Sequence, residues 1–295
     1  MSSGTPLREP ADTPFGVRLQ AAMAEHGPLC AGIDPHRGLV ESWGLPYDLS
    51  GLERFTMTCV EAFGGAVAAV KPQSAFFEVF GAKGVAVLER ALEGLREAGT
   101  LTVLDVKRGD IGTTVDAYGE AFLGKDAPAA ADAITLSPYL GYGSLRPAID
   151  LAHATGRGVL VLALTSNPEG EQVQHARLAD GRSVAGAIAD DAAADNAAAR
   201  ERGELGSIGL VVGATVGSAV ADLGVDLPAM GGPILAPGLG AQGATADDVR
   251  RVFAGALPQV LASSSRDVLR AGPDVAALRA RAREVATQVA AITGA

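Results

Sequence analysis

The sequence predicts a single (β/α)8 TIM barrel with an extra N-terminal helix. Three observations carry that expectation. Eight short apolar runs recur along the 295 residues, each followed by a segment whose apolar positions repeat at helical spacing. The runs are continuously apolar rather than alternating, as expected of strands buried on both faces and joined in parallel by helical crossovers. Polar and charged residues gather where the runs end, and the length suits a fold that typically takes roughly 250 residues. A doubly wound open sheet is the alternative arrangement of the same units.

Residues 1–12 are expected to form a disordered tail, leaving 13–295 as one catalytic barrel domain. Phe15, Leu19, Ala22 and Met23 predict a helix over 15–25 that packs across one end of something larger. The first strand, Leu29 to Ile33, ends in Asp34-Pro35, and a helix follows over 49–64. Ala66 to Val70 is the second strand and ends in Lys71-Pro72-Gln73, before a helix over 82–98. The third runs over 101–105 with a helix over 114–123, and the fourth over 132–136, ending in Ser137-Pro138, with a helix over 144–154. Gly158 to Leu164 is the fifth and ends in Thr165-Ser166-Asn167-Pro168. A long loop and an Ala- and Asp-rich helix over 181–202 precede the sixth strand, 207–213, and a short helix over 216–223. The seventh, 233–236, opens into a Gly-rich loop, 237–243, and a helix over 245–255. The eighth, 259–262, ends in Ser263-Ser264-Ser265-Arg266, and a helix over 274–292 closes the chain. No linker or charge block divides it.

Composition narrows the function. Hydrophobic residues make up 48%, enough for a large core, but aromatics only 4%, so Ala, Val, Leu and Gly must do the packing. A net charge of −10 argues against nucleic acid as a partner, while leaving room for a local basic pocket that holds a small anion. Cys30 and Cys59 form no C-x-x-C pair and read as reduced, buried thiols. The four histidines lack metal-ligand spacing. The polar amino end has no secretory pattern, and no apolar run nears the roughly 18 residues that cross a membrane. A cytoplasmic protein with no membrane partner is expected.

The densest chemistry is Asp105-Val106-Lys107-Arg108-Gly109-Asp110. Asp105 and Lys107, two apart, project from one face of an extended chain. Charges at the end of a buried strand are destabilised by desolvation unless they hold one another ionised. A structural ion-pair network or a solvated turn would account for that motif alone. It is the gathering of Asp34, Lys71, Asp105, Lys107, Ser137, Thr165 and Arg266 at the same end of the barrel that points to an active site. Gly238, Gly240 and Gly243 allow close backbone approach, Gln242 can donate through its amide, and Arg266 can grip an anion in two places. Barrels often bind phosphate at the loops after strands seven and eight. With no zinc ligand set, Walker loop or dinucleotide G-x-G-x-x-G, no cofactor is indicated and the side chains must carry the reaction.

The run D-V-K-R-G-D-I-G-T-T at 105–114 resembles the signature of the orotidine 5′-phosphate decarboxylase family. K-P-Q-x-A-F-F-E at 71–78 is similar to the family's longer bacterial, type 2 subgroup, as are S-N-P at 166–168, P-G-x-G-A-Q-G at 237–243 and S-S-R at 264–266. The likeness runs from about Phe15 to Leu269 with its motifs in family order. It implies conversion of orotidine 5′-monophosphate to uridine 5′-monophosphate and CO2 without cofactor or metal. On that resemblance Lys107 protonates C6, Asp105 lies beside the substrate carboxylate, and Lys71 completes the charge array and contacts the ribose. Asp34 holds a ribose hydroxyl and Ser137 meets the pyrimidine. Gly240, Gln242 and Arg266 grip the phosphate. Asp110, with Ile111 and Thr114, enters the site of a partner subunit, which implies a homodimer. Ser265 is a departure, since many relatives outside the subgroup have glycine there. Two other readings share the scaffold: a Mg2+-dependent sugar-phosphate decarboxylase or aldolase, and a nucleotide sensor that binds without releasing CO2.

Overall fold

The structure, a computed structural model, describes residues 13–238 and 244–294. The expected tail at 1–12 lies outside them. Among the described residues eight parallel strands close a barrel in chain order: β1 (Leu29–Ile33), β2 (Ala69–Pro72), β3 (Leu101–Arg108), β4 (Ala133–Leu136), β5 (Gly158–Leu164), β6 (Ile208–Val212), β7 (Ile234–Pro237) and β8 (Val260–Ser264). β8 returns to β1, with Ala262 opposite Leu29. The open-sheet alternative is thereby excluded. No helix among the described residues is long and apolar enough to cross a membrane.

The strands alternate their buried side chains between two cores. Cys30, Ala69, Val103, Ala133, Leu160, Val211, Leu235 and Leu261 point inward. Their neighbours Ala31, Val70, Leu104, Ile134, Val159 and Leu210 point outward against the helices. The inner core is finished by α1 (Phe15–His26), whose Phe15, Leu19 and Met23 join it from below. This is the expected helix across one end, and glycine permits its approach: a Cβ on Gly158 would fall 2.3 Å from the Phe15 ring. Arg18 fastens it, reaching Asp132 at 2.5 Å and the Gly156 carbonyl at 3.0 Å. Asp132 in turn accepts from the backbone and hydroxyl of Thr102, so the plug is tied to β3 and the approach to β4.

The outer layer comprises α2 (Arg37–Ser42), α3 (Leu49–Phe63), α4 (Ser74–Glu78), α5 (Gly81–Glu97), α6 (Gly112–Leu123), α7 (Arg146–Ala154), α8 (Glu171–Gln174), α9 (Val184–Asp195), α10 (Ala197–Glu201), α11 (Ala219–Asp222), α12 (Leu227–Met230), α13 (Ala246–Val252), α14 (Arg266–Leu269) and α15 (Val275–Thr293). Several differ from expectation for identifiable reasons. β2 starts at Ala69 rather than Ala66, because Gly64 and Gly65 turn the chain and Gly65 bonds Thr100. Ala66 to Ala68 are buried too, so hydropathy could not mark the boundary. The helix expected over 181–202 breaks at Asn196. The side chain of Asn196 leaves the helix to bond the backbone of Ile208 and Met230. Ser263 and Ser264 belong to β8. The short helices α2, α4 and α14 follow strand ends that read as loops.

Truncating Phe15 to Ala empties the floor of the barrel without touching its charged end. It should lower stability by about 3–5 kcal/mol, read from urea midpoints, while the kcat of the folded fraction stays at the wild-type value.

Candidate active site

The carboxyl ends of the strands enclose a pocket of about 220 Å3. Asp34, Lys71, Asp105, Lys107 and Arg266 line it, with Thr135 from β4. The site rests on Asp105, which is 6% exposed. Its Oδ2 accepts from Lys71 Nζ at 3.1 Å, and its Oδ1 accepts from Lys107 Nζ at 2.5 Å and from the Thr135 hydroxyl at 2.7 Å. Lys71 is equally buried and lies 3.8 Å from Asp34 Oδ1, with Gln73 Oε1 at 3.1 Å. The result is an alternating row, Asp34, Lys71, Asp105, Lys107.

Charge in this row is self-supporting. Burial pushes the Asp105 carboxyl up, but Lys71, Lys107 and the hydrogen bonds of Lys107 and Thr135 outweigh it and hold it at about 2. Burial works against the Lys71 ammonium, yet Asp34 and Asp105 prevail and its pKa is raised. Cys30 is one layer below the site. Burial pushes its thiol up to about 12, so it faces the charges as a neutral group. Cys59 is buried and free as well. Asp34 Oδ1 is buried without a hydrogen-bond partner among the described residues, so it remains available to a ligand donor.

Lys107 is not held on a regular strand. Its φ is 45°, the one positive value outside glycine among the described residues. The β3–β4 register shifts between Leu104 and Arg108. Such a conformation costs about 1–3 kcal/mol and persists where the surroundings over-determine it. Here the Lys107 backbone N–H donates to Thr135 Oγ1 at 3.0 Å. Thr135 therefore holds both Asp105 and the backbone of Lys107. Its signal in the sequence is slight: it is the one polar residue in the strand Ala133-Ile134-Thr135-Leu136. Gln73, which pairs with Asp105 in a bridge, is not marked out by the sequence either.

The other expected site residues separate. Ser265 and Gly238 line the same pocket beside Arg266. A Cβ on Gly32 would fall 1.9 Å from Ser265 Oγ, so a bare glycine opposite makes room for this serine. Gly240 and Gln242 lie outside the described residues. Asp110, Ile111, Thr114 and Ser137 do not line the pocket of their own chain. The Asp110 carboxylate accepts from the Ile111 amide at 2.9 Å, Ile111 is 62% exposed, and the Ser137 amide bonds the Arg108 carbonyl. Among the described residues no group of three or more His, Cys, Asp or Glu side chains could hold a metal ion.

Fold and site together define a (β/α)8 barrel with an alternating aspartate–lysine row, largely buried, in a pocket at the carboxyl ends of its strands. Residues 27–281 match the orotidine 5′-phosphate decarboxylase / HUMPS family. An orotidine 5′-phosphate decarboxylase of Salinispora arenicola is 60% identical over 281 residues, covering 95% of this chain and 99% of that protein. One from Streptomyces coelicolor is 57% identical over 277 residues, 94% of this chain and 97% of that one. A crystal structure from Streptomyces avermitilis assigned to the same activity superposes with a TM-score of 0.91 at 54% identity, covering 100% of this chain and 99% of that chain. The Leishmania donovani OMP decarboxylase gives 0.71 at 32%, over 96% and 100%. The chain belongs to the orotidine 5′-phosphate decarboxylase family.

The depressed pKa of Asp105 has a measurable consequence. Its stabilising contribution is complete above the ordinary carboxylate pKa near 4 and is lost as pH falls toward about 2. Asp105→Asn removes that dependence. Its urea midpoint should fall less steeply than the wild type's across this window.

Proposed function

We propose that Lys107 is the proton donor of the decarboxylation. The enzyme converts orotidine 5′-monophosphate to uridine 5′-monophosphate and CO2 in pyrimidine biosynthesis. The observation that carries the residue assignment is the Lys107 ammonium held 2.5 Å from Asp105 at the pocket wall. The bond from C6 to the carboxylate breaks, its electron pair stays on C6, and CO2 leaves. The resulting sp2 carbanion has little conjugative relief, so a cation fixed beforehand beside C6 is the group able to stabilise it. The same ammonium then gives its proton to C6, forming the C–H bond of the product. Asp105 keeps that ammonium in place, and Lys71 keeps Asp105 ionised while reaching the ribose. Asp34 offers Oδ1, which faces Lys71 at 3.8 Å but accepts no hydrogen bond among the described residues, to a ribose hydroxyl.

Arg266 and Gly238 line the pocket and Arg266 holds the phosphate; Gly240 and Gln242, outside the described residues, are assigned to the same phosphate on the motif at 237–243. Binding energy taken up there can organise the reacting end. Ser137 lies outside the pocket, but its amide bonds the Arg108 carbonyl just past Lys107, and on the family motif its side chain is assigned to the pyrimidine. Asp110, Ile111 and Thr114 complete the site of a second subunit. Their absence from their own pocket supports this, as do the apolar side chains exposed nearby, Ile111, Tyr139 and Leu140. The chain from 13 onward is then a single catalytic domain, working as a cytoplasmic homodimer.

Lys107→Ala should abolish turnover while uridine 5′-monophosphate still binds. Near-normal decarboxylation, followed by loss of substrate absorbance, sinks the donor assignment. Subunit sharing is tested by mixing inactive Lys107→Ala and Asp110→Ala proteins under conditions that exchange subunits. Hybrid dimers carry one intact site, so activity should recover to about a quarter of wild type. No recovery, with exchange demonstrated, refutes the shared site.

A further inference from the structure

Arg108 and Glu78 lie in the two motifs that frame the site, and neither takes part in the chemistry above. Glu78 ends α4, the helix entered directly from Lys71-Pro72-Gln73. Arg108 follows Lys107. Their side chains meet: Arg108 Nη2 donates to Glu78 Oε1 at 2.7 Å, and the Ser74 hydroxyl donates to the same oxygen at 2.6 Å. The other arm of the guanidinium, Nη1, donates to the Val106 carbonyl at 3.0 Å. One planar group thus holds the backbone just before Lys107 and, through Glu78, the helix that follows Lys71. The backbone of Arg108 is fixed too, paired with Leu136, and its carbonyl takes the Ser137 amide at 2.7 Å. Between these holds sits Lys107 at its positive φ.

An ion pair this exposed adds little to stability, since its side chains are 31% and 39% accessible. Its effect is geometric. We infer that Arg108 and Glu78 are a positioning pair for the proton donor. The guanidinium fork fastens the bulge carrying Lys107 to the helix behind Lys71, so the two ammonium groups keep a fixed placement across Asp105. Lysine cannot substitute at 108, because one ammonium on a flexible stem lacks the fork that serves both acceptors. The inference rests on Lys107 as the donor, and it adds a requirement for how that donor is held.

The test is steady-state decarboxylation by R108M, R108K, E78A, E78Q and R108M/E78A, with uridine 5′-monophosphate inhibition and thermal midpoints on the same proteins. R108M and E78A should lower kcat about tenfold or more, because small displacements of a reacting group are costly. KM and the inhibition constant should stay within about twofold of wild type. R108K should fall with R108M. E78Q should remain close to wild type, because its amide oxygen still accepts from both Arg108 and Ser74. The double variant should be no slower than R108M. A kcat for folded R108M within about twofold of wild type overturns the inference. So do additive losses, equal losses in kcat and nucleotide binding, or a loss that vanishes as enzyme concentration rises and so reports subunit separation. Should R108M not fold, E78A and R108K carry the same readout. Turnover by Lys107→Ala would remove the donor assignment itself, whereas an inactive Lys107→Ala beside a fully active R108M removes only the role of this pair.

Discussion

The carboxylate of Asp105 between two ammonium groups is the constraint to which the rest of the charged end conforms. A buried anion is tolerable only when its lone pairs are taken up, and here Lys71, Lys107 and Thr135 take them. Each of those partners comes from the carboxyl-end region of a strand, β2, β3 or β4. The barrel supplies this convergence because its parallel strands all point their carboxyl ends to one face. Lys71 could not be buried without Asp105 and Asp34, nor Asp105 without the lysines. The row therefore stands or falls as a unit, and removing one member strands the others.

The opposite end of the barrel carries no such tension. There Phe15, Leu19 and Met23 close the floor with apolar packing, and Arg18 ties the plug through Asp132. The molecule thus divides along its axis. Stability is concentrated in the floor and the two cores, where burial is apolar. The charged end spends stability on arrangement, most plainly at Lys107, where the backbone adopts a conformation that side chains other than glycine rarely take.

The sequence made the barrel legible because continuous apolar runs have no other economical use than strands buried on both faces. It made the charged row legible because Asp34, Lys71, Asp105 and Lys107 each sit where such a run ends. Boundaries were less readable for a physical reason: Ala66 to Ala68 are as buried as the strand they precede, and Asn196 breaks a helix through long-range bonds that no local pattern announces. Thr135 is hard to single out because a threonine in a strand reads as ordinary. Only the three-dimensional neighbourhood shows its hydroxyl turned to Asp105. Asp110, Ile111 and Thr114 are the instructive case. Their motif reads as part of the site, yet they do not line the pocket of their own chain. A linear pattern cannot say which residues of a motif the fold turns into the chain's own pocket.

With Lys107 as the proposed donor, position rather than charge count is what this site must supply. Asp34 and Asp105 balance Lys71 and Lys107, so the row within one chain is close to neutral. In decarboxylation the total charge of the substrate does not change as CO2 leaves. The negative charge moves from the carboxylate to C6. A uniform positive field would favour both states alike and leave the barrier where it was. Acceleration requires a cation whose distance to C6 is shorter than its distance to the departing carboxylate, and which does not relax away. An ammonium on a free lysine stem would swing with the charge it solvates, much as water does. The fixed bulge at Lys107, its amide on Thr135 and its head on Asp105 remove that freedom before substrate arrives. On the proposed assignment, the positive φ of Lys107 and the register shift between Leu104 and Arg108 are the backbone cost of that placement.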